Sequence, residues 1–218
     1  MRPAKLHTMT APRRDPPALH DRALQDLSFI RRTMEGAASF TDVPGWGLVA
    51  TGGIGLAAAG LAHGEPTAAG WLRIWLAAAV LAGVVGSGAM LAKMRRRMAR
   101  DGSAVLSVPA RKFLLSFWPA IAAGAVLTLA LMDPAIQGGD GDVARRILPG
   151  LWLLLYGVGI TTAGAFSVRP VPLMGIGFLL LGVTALLLPT VDGDLALALG
   201  FGVLQVVFGI LIARRHGG

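Results

Sequence analysis

The chain has 218 residues, 54% of them hydrophobic and 15% charged, where a soluble domain carries about a quarter charged residues. Its formal charge is +8 and it contains no cysteine, which excludes disulfides, thiolate metal sites, palmitoyl anchors and a prenyl tail. With a mean hydropathy of +0.65, the composition is that of a chain that spends most of its length in lipid rather than in water.

Residues 1–14 are basic, proline-containing and without periodicity, and read as a disordered tail. Residues 15–43 read as an amphipathic helix and its linker. Asp15-Pro16-Pro17 supplies a cap and a proline first turn. Leu19, Ala23, Leu27, Ile30 and Met34 follow at spacings of four and three, which is one apolar stripe. The polar side is neutral: Arg22, Arg31 and Arg32 are balanced by Asp21, Asp26 and Glu35. Arg22–Asp26 and Arg31–Glu35 stand four apart and can pair along the helix. A lipid-seeking helix carries an excess of cations on that side, so this one is expected to pack on protein: the bundle's own end, another copy or another chain. Gly36 ends it, and Pro44-Gly45 bends the backbone before the membrane.

Residues 44–218 hold six apolar runs, placed at Trp46–Ala62, Ile74–Ala92, Phe113–Met132, Ile147–Phe166, Val171–Pro189 and Leu195–Ala213. Each approaches the roughly 20 residues that a helix needs to cross about 30 Å of hydrocarbon. Barrel strands would alternate apolar and polar residues, and these runs do not. The fold class expected is all-α: a polytopic membrane protein of six transmembrane helices preceded by a cytoplasmic amphipathic helix. The first run lies behind a long charged segment, so it is expected to act as the insertion signal without cleavage.

The gaps between the runs give the orientation. Seventeen of the 20 Lys and Arg fall in the N-terminal segment, the second gap, the fourth gap and the tail. Only Arg73, Arg145 and Arg146 fall in the other gaps, which also hold Glu65, Asp133, Asp140, Asp142, Asp192 and Asp194. Basic residues are retained on the cytoplasmic side, so both termini are expected there. The cluster Met94-Arg95-Arg96-Arg97 stands at a membrane exit, which favours anchoring or anionic lipid over nucleic acid. Trp46, Trp71, Trp75, Trp118 and Trp152 lie near run ends, as an interfacial aromatic belt would place them.

Within the runs there is no Asp, Glu, Lys or His. A carboxylate proton relay, an intramembrane metalloprotease and a Ser–His protease are therefore disfavoured, and no metal or cofactor is expected. The polar residues left are hydroxyls and one amide, and Tyr156, Thr161, Thr162 and Gln205 are the candidates for a polar bundle interior. Gln205 is expected to face inward and act as interhelical glue. Glycine is abundant, and pairs such as Gly83/Ser87 and Ala120/Gly124 give small faces where helix backbones can approach. The turn Ala165–Pro172 carries one cation, Arg169, which anchors topology or pairs with Glu35 or Asp42. Pro44-Gly45 and Pro149-Gly150 each precede a tryptophan, a faint sign of an inverted three-span duplication that the rest of the halves does not extend.

Leu24–Glu35, Phe40–Trp46 and Gly164–Arg169 together resemble an uncharacterised group of bacterial six-span inner-membrane proteins. The resemblance implies a bacterial inner (plasma) membrane and supplies no active site. The expected function is non-catalytic: a scaffold or accessory subunit working through helix packing and its N-terminal helix, in contact with the bilayer and with a protein partner or a second copy. A small transporter or channel for a neutral or lipophilic solute is the first alternative, and a signalling protein responding to membrane state the second.

Overall fold

The structure, a computed structural model, describes residues 24, 26–30, 43–101, 107–133, 142–188 and 190–216. The chain divides into two units, Met1–Ala37 and Ala38–Gly218.

In the first unit, Leu24 and residues 26–30 are helical and exposed. Leu27 and Ile30 of the expected stripe are among them, as is Phe29, which the sequence puts off the stripe. Leu19, Ala23 and Met34 lie outside the described residues, and so do the cap at Asp15 and the carboxylates of Glu35 and Asp42.

The second unit consists of helices, six of them long and apolar enough to cross a membrane. They are α1 (Gly45–His63), α2 (Ala68–Asp101), α3 (Val108–Leu131), α4 (Asp142–Gly164) and α5 (Pro170–Leu187). The last, α6, runs from Gly193–Leu197 through a π-helical stretch, Ala198–Leu204, into Gln205–His216. Several begin or end beyond the apolar run because the helix continues wherever backbone bonds can be kept. The α2 helix carries on through Lys93–Asp101, where Met, Arg and Ala are all good helix formers. The α3 helix starts at its own cap, with the Ser107 hydroxyl accepting from the Ala110 N–H at 3.3 Å. The α5 helix stops short of Pro189 because Leu188, the residue before it, is extended at φ −108°. The α4 helix starts early enough to take in Pro149, whereas Pro44 precedes α1. The two Pro-Gly pairs therefore occupy unlike positions, and the duplication gains nothing from them.

Glycine decides the packing. The α4–α5 pair is the most extensive contact, and α3 lies along α4, while α1 holds both α2 and α6. A Cβ added to Gly182 of α5 would sit 2.8 Å from Leu154 N, and one added to Gly157 of α4 would sit 2.9 Å from Leu179 N. One added to Gly209 of α6 would sit 2.8 Å from the Gly45 carbonyl oxygen. In lipid no hydrophobic force separates inside from outside, so backbone-to-backbone approach of this kind is what draws helices together. Ala120 and Gly124 of α3 face Gly159 and Leu155 of α4, as their spacing suggests. Gly83 of α2 has nothing within 4 Å, so among the described residues no helix packs on the Gly83/Ser87 face. The α2 and α3 helices are the most exposed, with 6% and 17% of their apolar windows buried against 50% for α4.

Candidate functional site

Two polar nodes tie the helices together, and the first lies at one end of the bundle. Asp192 caps the start of α6, its Oδ1 accepting from the N–H groups of Asp194 at 2.7 Å and Leu195 at 3.0 Å. That cap turns Asp194 inward, where only 7% of it is exposed. One oxygen, Oδ1, accepts from the indole N–H of Trp71 at 2.5 Å and of Trp75 at 3.3 Å, both from α2. The other, Oδ2, faces the Arg145 guanidinium of α4 at 3.6 Å. Arg145 also donates to the Glu65 carbonyl oxygen at 3.0 Å, in the α1–α2 connection. A buried carboxylate needs this many partners, because an unpaired one is strongly destabilising.

The node extends sideways through tryptophan. The rings of Trp71 and Trp152 lie stacked with centroids 5.7 Å apart and planes within 4°. Trp152 donates to the Thr128 hydroxyl of α3 at 2.8 Å, and Thr128 donates to the Gly124 carbonyl at 2.7 Å. Four helices, α2, α3, α4 and α6, thus meet in one connected network. Beside it lies a cleft of about 80 Å³ lined by Trp71, Arg145, Asp192, Gly193 and Asp194. That admits a few waters, well below the roughly 300 Å³ of an organic ligand pocket. On the surface above, Thr67 hydrogen bonds through its hydroxyl and N–H hold the Glu65 carboxyl below its ordinary value, helped by Arg73 and Arg145.

The second node is deeper in the bundle. Gln205 is 5% exposed and immediately follows the π-helical stretch. Its Oε1 accepts from the Thr51 hydroxyl of α1 at 2.6 Å, and its Nε2 donates to the Tyr156 hydroxyl of α4 at 3.2 Å. The Thr51 proton is shared with the Leu48 carbonyl at 2.9 Å. Tyr156 stands in an aromatic cage of Phe117, Phe178 and Phe201, with ring centroids 5.5, 4.7 and 5.1 Å away.

The four residues expected to share a polar interior do not share one space. Tyr156 and Gln205 meet. Thr161 faces Gly175 of α5 with its hydroxyl buried and without a hydrogen bond. Thr162 points to the α3 side and donates to its own helix, 2.8 Å from the Val158 carbonyl. Arg169 is exposed in the α4–α5 turn, and both carboxylates proposed for it lie outside the described residues. Among the described residues there is no group of three or more His, Cys, Asp or Glu placed to hold a metal.

Sequence reasoning missed the Asp194 node. It assigned Trp71, Trp75 and Trp152 to an interfacial belt, yet Trp71 and Trp75 are buried on a carboxylate and Trp152 is stacked and hydrogen-bonded. Trp46 and Trp118 are exposed, as belt residues are. The available signal was an acidic residue, Asp194, set directly against an apolar run with an arginine, Arg145, at the corresponding end of another. Compared with known protein families, with curated proteins and with solved structures, the chain matches none.

Proposed function

We propose that this chain is a non-catalytic integral protein of a bacterial inner membrane, a scaffold or accessory subunit with both termini in the cytoplasm. One observation carries the reading: the polar side chains of the two nodes are committed to one another. Gln205 is held between Thr51 and Tyr156, and Asp194 between two indoles and Arg145. Groups that bind or conduct a solute must instead present donors and acceptors to an open space. The basic residues of alternate gaps support the orientation, and the bacterial membrane is what the resemblance of Leu24–Glu35, Phe40–Trp46 and Gly164–Arg169 implies. The N-terminal helix is the contact element: Leu24, Leu27 and Ile30 each expose about half or more of their surface.

The test is purification of the tagged full chain from its native membrane in mild detergent, with mass spectrometry of what accompanies it. A stoichiometric partner that is lost in Leu27→Asp/Ile30→Asp is the expected result. A clean chain with no partner rejects the accessory role and brings forward transport of a neutral solute, which flux into reconstituted vesicles then measures.

A further inference from the structure

The α2 helix is longer than a membrane requires. Its 34 residues extend roughly 51 Å at 1.5 Å per residue, against about 30 Å of hydrocarbon. Trp71 and Trp75 sit at the end that meets Asp194. Counting from Trp71, Lys93 lies roughly 33 Å along the axis and Arg100 roughly 44 Å. The stretch Lys93–Arg100 therefore stands at the headgroup level and beyond. It is held there: Lys93 donates to the Val43 carbonyl at 3.2 Å, and Met94 is 2% exposed.

One face of this helix is continuous from mid-membrane to headgroup. Val80, Val84, Ser87, Leu91, Arg95 and Met98 follow at spacings of four and three, and all are exposed. From Val80 to Leu91 the stripe covers roughly 16 Å, close to half of the about 30 Å hydrocarbon thickness. Gly83 and Gly88 beside it have nothing within 4 Å, which leaves the surface shallow there. Where the apolar part ends, Arg95, Arg96 and Arg100 are exposed at the headgroup level. A topology signal needs only an excess of cations near the helix end. It does not need an apolar track one leaflet long leading to them.

We propose that this face of α2 is a binding surface for an anionic phospholipid of the leaflet at its basic end. An acyl chain lies along Val80, Val84 and Leu91, and the phosphate is met by Arg95, which continues that track, with Arg96 about 100° further round the helix and Arg100 on its far side. Charge complementarity selects the occupant. The track is apolar for one leaflet and then reaches Arg95, with Arg96 beside it, and a second copy of the chain would bring the same cations against it. The proposal is independent of whether the protein is a scaffold or a transporter.

The test uses the purified full chain in zwitterionic detergent micelles, with phosphatidylglycerol and phosphatidylcholine added at equal concentration and retained lipid counted by native mass spectrometry. Each interfacial cation is worth about fivefold in affinity for anionic lipid. Arg95→Gln/Arg96→Gln is therefore expected to lower the preference for phosphatidylglycerol at least tenfold. Arg214→Gln/Arg215→Gln removes the same charge from the tail and is expected to leave that preference within twofold of the parent. Equal retention of both lipids by the parent chain, or an equal loss in both variants, overturns the proposal. A second measurement uses the absence of cysteine. Val84→Cys in native membranes is expected to stay monomeric under oxidation. A disulfide-linked pair would show that a second copy covers the stripe, and would overturn the proposal as well.

Discussion

Asp194 is the residue on which two indoles and a guanidinium converge. Replacing it by alanine leaves two indole N–H groups without their acceptor and Arg145, which keeps the Glu65 carbonyl, without its counter-charge, a combined cost of about 3 kcal/mol. Asp194→Ala is expected to lower the unfolding midpoint in detergent sharply. Trp71→Phe keeps an aromatic side chain but loses a hydrogen bond to a charged group and part of a buried ring, at a cost of at least about 2 kcal/mol. Thermal unfolding followed by tryptophan fluorescence measures both, and equal midpoints for parent and Asp194→Ala would mean that the node holds nothing. Glu65 gives a pH test outside the spans. Its carboxyl titrates below the ordinary value near 4.5 because Thr67 hydrogen-bonds the charged form. A folded value below the unfolded one means that the contribution is present above about pH 4.5 and is lost as pH falls through the folded value. Glu65→Gln should therefore be less stable than the parent at neutral pH, by a small amount, with the difference closing below pH 4.5. A midpoint difference that does not change between pH 7 and pH 3 would contradict it. The partner of Glu65 stands two positions on, at Thr67, whereas those of Asp194 were not legible in the sequence, because Trp71 and Trp75 are more than a hundred positions away.

At the level of the helices, small residues set which faces meet. Gly55 of α1 lies directly on the backbone of Phe201 in the π-helical stretch of α6, and Gly52 would put a Cβ 2.9 Å from the Gly202 carbonyl. Backbone cannot move aside as a side-chain tip can, so Gly55→Ala should cost about 1–3 kcal/mol through overpacking. Gly53, two positions away on the open side with nothing within 4 Å, should accept alanine with a gain of up to about 1 kcal/mol from helix propensity. Midpoints of the two variants in one detergent check the pair, and equal effects would contradict the packing described. The spacing of small residues was readable in the sequence for α3 against α4, but it could not tell Gly83, which faces open space, from Gly124, which faces Leu155. Both have the same local pattern, and only the arrangement of the other helices separates them. The π-helical stretch was not readable either: Ala198–Leu204 is an ordinary apolar sequence, and π-turns, rare in general, favour functional sites.

For the molecule as a whole, orientation is the testable property. Reporter fusions at the two ends should be active only for a cytoplasmic reporter, and a fusion in the Asp133–Asp142 connection only for a periplasmic one. Periplasmic activity at either terminus would reject the charge-based orientation. The bundle has an uneven exterior: α1, α4 and α6 are well packed, while α2 and α3 turn most of their apolar surface outward. Lipid is the ordinary cover for such a surface, so its apolar character is no sign of instability.

The sequence by itself determined that this chain is built from helices able to cross a membrane. Six apolar runs leave backbone groups no partner but their own helix once water is gone. It determined roughly where those helices lie, but it put Trp71, Trp75 and Trp152 in an interfacial belt rather than on the Asp194 network. Only the tertiary structure decided that Asp194, Trp71, Trp75 and Arg145 form one buried network, and that Gln205 bridges Thr51 and Tyr156 while Thr161 and Thr162 turn to other sides. Lipid-facing and protein-facing sides of a helix are almost equally apolar, so hydrophobic periodicity, which orients helices in water, carries little information inside a bilayer.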